Sequence, residues 1–198
     1  MSSKDKILKA ALRVFLEKGY DAASINDVVK ESGFTKGGIY HYFENKDKLF
    51  IETINYLFDE FEKWENEIFS EIMDIKKVLE LYFGLIAEVT NFVKEVAETN
   101  KLDEFNFYFL MLTAFHKFPE LRNKHNSEHK KNLDGFIQII KNSQKQKLIQ
   151  ENIDAETFAF MVNALGEGTM LYHLVNEQIN LKEMGKKLFE TVWTSIKI

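Results

Sequence analysis

The chain has 198 residues, no cysteine, one proline and nine glycines, with 45% hydrophobic and 29% charged residues. Without cysteine there is no disulfide scaffold, thiolate metal site or cysteine nucleophile, and so little proline and glycine excludes a fibrous or low-complexity chain. The formal net charge of −5 speaks, taken alone, against nucleic acid as a partner.

Apolar pairs Ile7/Leu8, Ala11/Leu12 and Phe15/Leu16 recur in steps of four and predict a first helix. Gly19 can end it, because glycine takes the left-handed conformation without steric cost. Ser24 reads as an N-cap with Asp27 three residues on. Ile25, Val28 and Val29 form the buried face of a short second helix, which Gly33 ends. Thr35 caps a third short helix, in which Ile39 and Phe43 face one way. Asn45 caps a fourth over 46–72, with Leu49, Phe50, Ile54, Leu57, Phe58, Phe61, Trp64, Ile68 and Ile72 on its apolar side. Further helices are predicted at 74–97, 102–118, 119–147, 154–176 and 180–197. Pro119 suits a first helical position, and Asp154 and Asn180 suit caps.

No period-two alternation competes with these patterns. The predicted fold is all-α, with about nine helices: a three-helix module at 1–48, its helix-turn-helix at about 25–44, and a larger helical body at 49–198. The two parts differ in charge. Residues 1–48 hold nine Lys/Arg against seven Asp/Glu, and the remainder holds 17 against 24. A mildly basic module thus precedes an acidic body. The start, Met1-Ser2-Ser3-Lys4-Asp5-Lys6, has no apolar run of signal-peptide kind. The most apolar window, Phe105–Phe115, is far shorter than the ~18–20 residues that span a bilayer. A cytoplasmic protein with no membrane partner is expected.

Residues 25–43 have the proportions of a helix-turn-helix, whose second helix enters the DNA major groove while the first braces it. The second helix here runs Lys36-Gly37-Gly38-Ile39-Tyr40-His41-Tyr42-Phe43. Two glycines near a helix start cost about 1 kcal/mol each in propensity. Close backbone approach to a phosphate or base edge calls for them. Lys36 supplies a positive donor, and Tyr40, His41 and Tyr42 supply polar tips suited to phosphate contacts. Lys46 opens the next helix, whose N-terminus favours anions. As a phosphate contact, its removal would lower the salt slope of DNA binding by about one. Ser24 and Thr35, at the two N-caps, complete the candidate set.

Residues 5–50 resemble the N-terminal domain of the TetR family of bacterial transcriptional regulators. The resemblance rests on Ile7–Gly19 (ILKAALRVFLEKG), Tyr20–Val29 (YDAASINDVV), Ser32–Phe43 (SGFTKGGIYHYF) and Asn45–Leu49 (NKDKL). Asp47 stands where the family more often has glutamate. The resemblance implies a homodimer reading a palindromic double-stranded DNA operator, with Thr35, Lys36, Gly38, Tyr40, His41, Tyr42 and Lys46 at the DNA. It also implies that the body at 49–198 binds a small effector and dimerises through its last two helices.

For dimerisation the sequence offers an apolar stripe of Leu181, Met184, Leu188 and Val192, and a second of Phe158, Met161, Val162, Leu165, Met170 and Leu171, with Gly166 and Gly168 allowing close approach. For a hydrophobic effector it offers helix 102–118, apolar almost all round and so expected to be buried on several sides. Tyr108 and Met111 of that helix, with Tyr82, Phe83 and Phe92, are the candidate apolar lining. His116, Asn163, Glu167 and His173 are the candidate polar groups.

His125-Asn126-Ser127-Glu128-His129 matches a metalloprotease signature. It lies among Lys124, Lys130 and Lys131 on an apparently solvated helix, so no metal site is expected. No nucleophilic triad, nucleotide-binding glycine loop or paired-carboxylate site stands out, so neither an enzyme nor a cofactor is expected. The expected function is a repressor released from its operator by a small hydrophobic effector. The alternative is a DNA-bound factor whose body docks another protein and binds no effector.

Overall fold

The computed structural model describes residues 2–69, 74–176 and 178–198. Among these it contains ten helices: α1 (Ser3–Ala22), α2 (Ile25–Ser32), α3 (Lys36–Tyr40), α4 (Lys46–Phe69), α5 (Ile75–Leu85), α6 (Val89–Ala97), α7 (Glu104–Lys117), α8 (Pro119–Lys145), α9 (Ala155–Val175) and α10 (Leu181–Ile196). The only strand-like pairing among the described residues is a bridge between Ile149 and Lys197. The fold is all-α, as the helical period implies. The expected end of the fourth helix, at residue 72, lies outside the described residues.

Most boundaries follow from local chemistry. Ser24, Thr35, Asp154 and Asn180 each accept a backbone N–H in the first turn of the helix they precede. Asn45 Oδ1 accepts from Lys48 N at 2.9 Å. Gly33 closes α2 at a φ of 72°, a value that strains residues bearing a Cβ. Gly19 has the same φ and kinks α1 three residues before its end.

The helix expected over 74–97 is two helices. The chain breaks at residues 86–88, where Glu88 N donates to Leu85 O in a tighter turn. The two halves bury into different cores. Ile75, Leu79, Phe83 and Ile86 pack in one apolar cluster, and Val93, Val96 and Ala97 in another. A straight helix cannot turn its apolar face from one to the other.

Contacts divide the chain into two compact units. The first comprises Met1–Asn66 with Thr90–Asn126, and the second Glu67–Val89 with Ser127–Ile198. This division differs from a boundary at residue 48. Ile7, Leu8, Leu12 and Phe15 of α1 share one core with Leu49, Phe50, Ile54 and Leu57 of α4, and with Val93, Leu110 and Ala114 of α6 and α7. The N-terminal module therefore does not close its core alone. In the second unit α5, α8, α9 and α10 surround Ile75, Leu79, Phe83, Ile140, Phe158, Val162 and Val192. Gly185 of α10 lies against the carbonyl of Phe83, where a Cβ would collide with backbone.

Candidate nucleic-acid interface

The short helix α3 is fixed from beneath and open above. Ile39 and Phe43 are fully buried in the core of the first unit. Thr35, Lys36, Gly37, Tyr40, His41 and Tyr42 are exposed. Tyr40 and Tyr42 keep 46% and 41% of their surface in water. His41 and Tyr42 pack edge to face, with ring centroids 5.0 Å apart. Lys36 Nζ lies 6.0 Å from the Tyr40 ring centroid and has no ion pair among the described residues.

The backbone of α3 is equally prepared. Thr35 Oγ1 accepts from Gly38 N at 3.1 Å. A Cβ on Gly38 would press on that same oxygen at 3.2 Å, so glycine protects the cap. A Cβ on Gly37 would meet nothing within 4 Å. Nothing inside the chain requires glycine there.

Helix α2 holds this helix in place. Ser24 Oγ accepts from Asp27 N and donates to Asp27 Oδ2, while Lys18 Nζ donates to Asp27 Oδ1 at 2.7 Å. These bonds, led by the one from Lys18, hold the Asp27 carboxyl at about 2, below the usual carboxylate range. Ser24 is thus fully engaged at its cap. Arg13 donates to Glu31 of α2 at 2.6 Å and to Ala97 O of α6 at 2.8 Å. Lys4 pairs with Glu52, and Lys9 with Glu98. Much of the positive charge counted in residues 1–48 is therefore bound internally.

Lys46 departs from the expected picture. Its Nζ donates to Tyr20 O at 2.9 Å, Ala23 O at 3.1 Å and Asp21 O at 3.4 Å. It also lies 4.4 Å from the centroid of the Tyr20 ring. Lys117 Nζ sits 4.9 Å from the same ring and pairs with Asp21. The Tyr20 hydroxyl donates to Asp47 at 2.5 Å. Phe50 and Phe118 pack against the ring edge to face. The sequence marked Asp47 only as a departure from the family's usual glutamate and did not mark Lys117, because their partner Tyr20 lies far from both along the chain.

The candidate effector residues divide between the two units. In the first, Phe92 lies 4.7 Å from Trp64 and 4.6 Å from Phe61, centroid to centroid. Tyr108 and Met111 are half-buried, and His116 is exposed. Helix α7 is not buried on several sides. Leu110 and Ala114 are buried, but Phe105, Phe109 and Leu112 are exposed, because α7 packs through one face only. His125, expected in a solvated stretch, stacks on Phe115 at 4.8 Å. In the second unit Phe83 is wholly buried. The Tyr82 hydroxyl donates to Asn163 O and lies over Gly166, where a Cβ would collide with it. Asn163 donates to Ala159 O, and His173 Nδ1 bonds to Ile179 O. Glu167 is exposed, and partial desolvation by the atoms around it raises its carboxyl above the usual range. An open depression of about 340 Å³ in this unit is lined by Gln138, Lys141, Gln144, Lys145 and Glu151, a polar set unlike the apolar one expected.

The expected dimer residues are mostly turned inward. Phe158 and Val192 are buried, while Leu165, Leu181, Met184 and Leu188 are half-buried. Leu181, Leu188 and Val192 pack on the core of their own unit, where Gly185 lets α10 lie close on α5. Of the set, Met161 and Leu171 alone are exposed. Beside them α9 exposes Phe160, Tyr172 and Val175, each more than 65% open. Leu171 belongs to the expected stripe; Phe160, Tyr172 and Val175 were missed, although they lie on the same helix face.

The family model described as "Bacterial regulatory proteins, tetR family" matches residues 7–53. The regulator QacR of Staphylococcus aureus is 31% identical over 117 residues, which is 52% of this chain and 61% of QacR. IcaR of Staphylococcus epidermidis, a negative transcriptional regulator of a biofilm operon, is 33% identical over 58 residues, 29% of this chain and 31% of IcaR. The chain thus spans less than two thirds of the length of these two relatives. Over a longer stretch, YfiR of Bacillus subtilis is 30% identical across 161 residues, 78% of this chain and 69% of YfiR. Among solved structures, a TetR-family regulator from Cytophaga hutchinsonii superposes with a TM-score of 0.74 at 22% identity, covering 98% of this chain and 94% of that one. FadR of Bacillus subtilis, solved with stearoyl-CoA, gives 0.66 at 22% identity, covering 94% and 96%. The match at the reading helix, the extent of the YfiR alignment and the shared fold together place the chain in the TetR family of bacterial regulatory proteins.

Proposed function

We propose that the protein is a homodimeric transcriptional repressor that binds a palindromic double-stranded DNA operator through α3 and is released by a small hydrophobic effector. One observation carries the DNA reading. A five-residue helix rests on two buried side chains and presents Thr35, Lys36, Gly37, Tyr40, His41 and Tyr42 outward. In the major groove these side chains would supply phosphate and base-edge contacts, with the Gly37-Gly38 backbone in close approach. Ser24 and the Gly38 N–H serve at the caps that aim them. The functional division at residue 48 is part of this proposal: residues 1–48 read DNA, and 49–198 bind effector and partner. Repression is supported by the role of IcaR as a negative regulator, and an effector by the stearoyl-CoA complex of FadR. The exposed α9 face supports dimerisation. Catalysis and a cofactor form no part of the proposal. Among the described residues no helix is long and apolar enough to cross a membrane, and we place the protein in the cytoplasm with its DNA.

Selection of duplexes from a random pool by the full chain tests this. A palindromic sequence should emerge, and an apolar acyl compound that raises the melting temperature should also release it. No enrichment of any duplex would refute the DNA reading, and release by no stabilising compound would refute the effector. The exposed Phe105, Phe109 and Leu112 favour one other reading, in which this face of α7 docks a protein. Persistent DNA binding with no effector would bring that reading forward.

A further inference from the structure

We propose that Arg13 is a positioning residue of the DNA reader: one guanidinium ties the end of α2 to the end of α6, so that duplex binding and the order of residues 97–99 are linked. This inference rests on the DNA-binding reading above.

The end of α6 is built in a strained form. Glu98 takes a φ of 53°, in the left-handed region where glycine is the usual helix-ending residue. Glu98 N donates to Glu95 O at 3.1 Å and Thr99 N to Lys94 O at 3.0 Å, the paired bonds that a left-handed residue closes at a helix end. Nothing local favours a carboxylate at that place. Its partner lies on α1: Lys9 Nζ donates to Glu98 Oε1 at 2.6 Å, and that bond holds the Glu98 carboxyl below the usual range. One turn along the same face of α1, Arg13 Nη1 donates to Ala97 O at 2.8 Å. The last carbonyls of a helix have no partner within it, so α1 supplies one from outside.

Arg13 reaches further. Its Nε donates to Glu31 Oε1 at 2.6 Å, in the last turn of α2. A guanidinium is planar and holds its donors in a fixed fork, so two acceptors on different helices are held in one mutual arrangement. Exposed ion pairs contribute little on their own, and Glu31 and Glu98 are exposed. The bond to the Ala97 carbonyl is partly buried, and it joins these contacts into one path from α6 through α1 to α2. Val28 of α2 and Ile39 of α3 are buried in the same core, so α2 in turn carries the reading helix. Linkage of this kind is reciprocal. A duplex that orders α2 and α3 therefore lowers the frequency with which the end of α6 opens, and amide exchange reads such local opening.

The test is hydrogen exchange of the full chain, free and saturated with the duplex that wild type selects. In wild type the Glu98 and Thr99 amides should exchange about fivefold more slowly with duplex, the lower end of ordinary coupling. Arg13→Met should bind that duplex weaker by about the same factor, with an unchanged salt slope, and its Glu98 and Thr99 amides should no longer respond to duplex. Glu31→Ala breaks only the α2 end, at an exposed helical position where alanine folds well. It should abolish the response in the same way, and it decides the matter if Arg13→Met fails to fold. A response that survives in either folded variant would overturn the inference. A salt slope smaller by about 0.9 in Arg13→Met would mark a phosphate contact and overturn it as well. If wild type enriches no duplex, the DNA-binding reading fails first and this inference falls with it. Enrichment of a duplex that leaves the Glu98 and Thr99 amides unchanged in wild type sinks this inference alone.

Discussion

The Tyr20 hydroxyl donates a 2.5 Å hydrogen bond to the carboxylate of Asp47. The bond joins the last residues of α1 to the first turn of α4, and it needs the phenol to keep its proton. Desolvation, reinforced by Asp47, pushes the Tyr20 phenol up to about 12.

Stability should therefore fall at alkaline pH in a particular window. The folded state holds the Tyr20 proton more tightly than the unfolded state, where a phenol titrates near 10. The contribution is complete below about pH 10 and is lost as pH rises through about 12. Denaturant unfolding measured across this range should show the decline, and Tyr20→Phe should flatten part of it. The decline should not vanish, because burial also raises the Tyr56 phenol to about 12. An identical slope in wild type and Tyr20→Phe would refute the role of the bond.

Gly185→Ala should destabilise the second unit. The new Cβ would strike the backbone carbonyl of Phe83, which cannot rotate away as a side-chain tip would. Overpacking of this kind costs about 2 kcal/mol, read as a lower urea midpoint at constant m-value. Gly168→Ala is the control. A Cβ there meets nothing within 4 Å, and alanine is the better helix former, so its midpoint should stay or rise.

Tyr172→Glu, alone or with Phe160→Glu, should yield monomers in sedimentation experiments. Both side chains are exposed on α9, so the change should leave the fold intact by circular dichroism. Because the two halves of a palindrome must be read together, the monomer should also lose most of its affinity for the selected duplex. A dimer that survives both changes would place the interface elsewhere.

Lys36→Ala should weaken binding to the selected duplex on the order of tenfold, equivalent to about 1.4 kcal/mol. The melting temperature should hardly move, since the side chain is exposed and has no ion pair among the described residues. Binding competition on the selected and a scrambled duplex would check it. Equal losses on both would make Lys36 a phosphate contact without sequence preference.

The helical class and most helix starts were legible because they rest on local chemistry. Ser24, Thr35 and Asp154 cap helices through their own side chains and need no distant partner. The break at 86–88 was not legible, because Ile86 and Val89 continue the helical rhythm and only the two separate cores distinguish them. Similarly, a periodic stripe reveals that a helix face is buried but not against what. The α10 stripe fits a partner subunit as well as its own core, and in the structure Val192 is buried while Leu181, Met184 and Leu188 keep part of their surface open. In the reading helix, composition alone marked the exposed residues, whereas the carbonyls of Tyr20, Asp21 and Ala23 that accept from Lys46 lie far from it along the chain and left no sign in the sequence.

The interleaved composition of the two units bears on how the chain is made. Residues 90–126 complete a core begun by α1, yet a ribosome delivers them only after residues 67–89 of the other unit have emerged. At a synthesis rate of about 5–20 residues per second, α1 to α4 wait for several seconds with Leu12, Phe15, Phe50 and Leu57 incompletely covered. The N-terminal reader therefore cannot mature ahead of the rest of the nascent chain. A translational stall before residue 126 would leave a sticky fragment and no prematurely active DNA-binding protein.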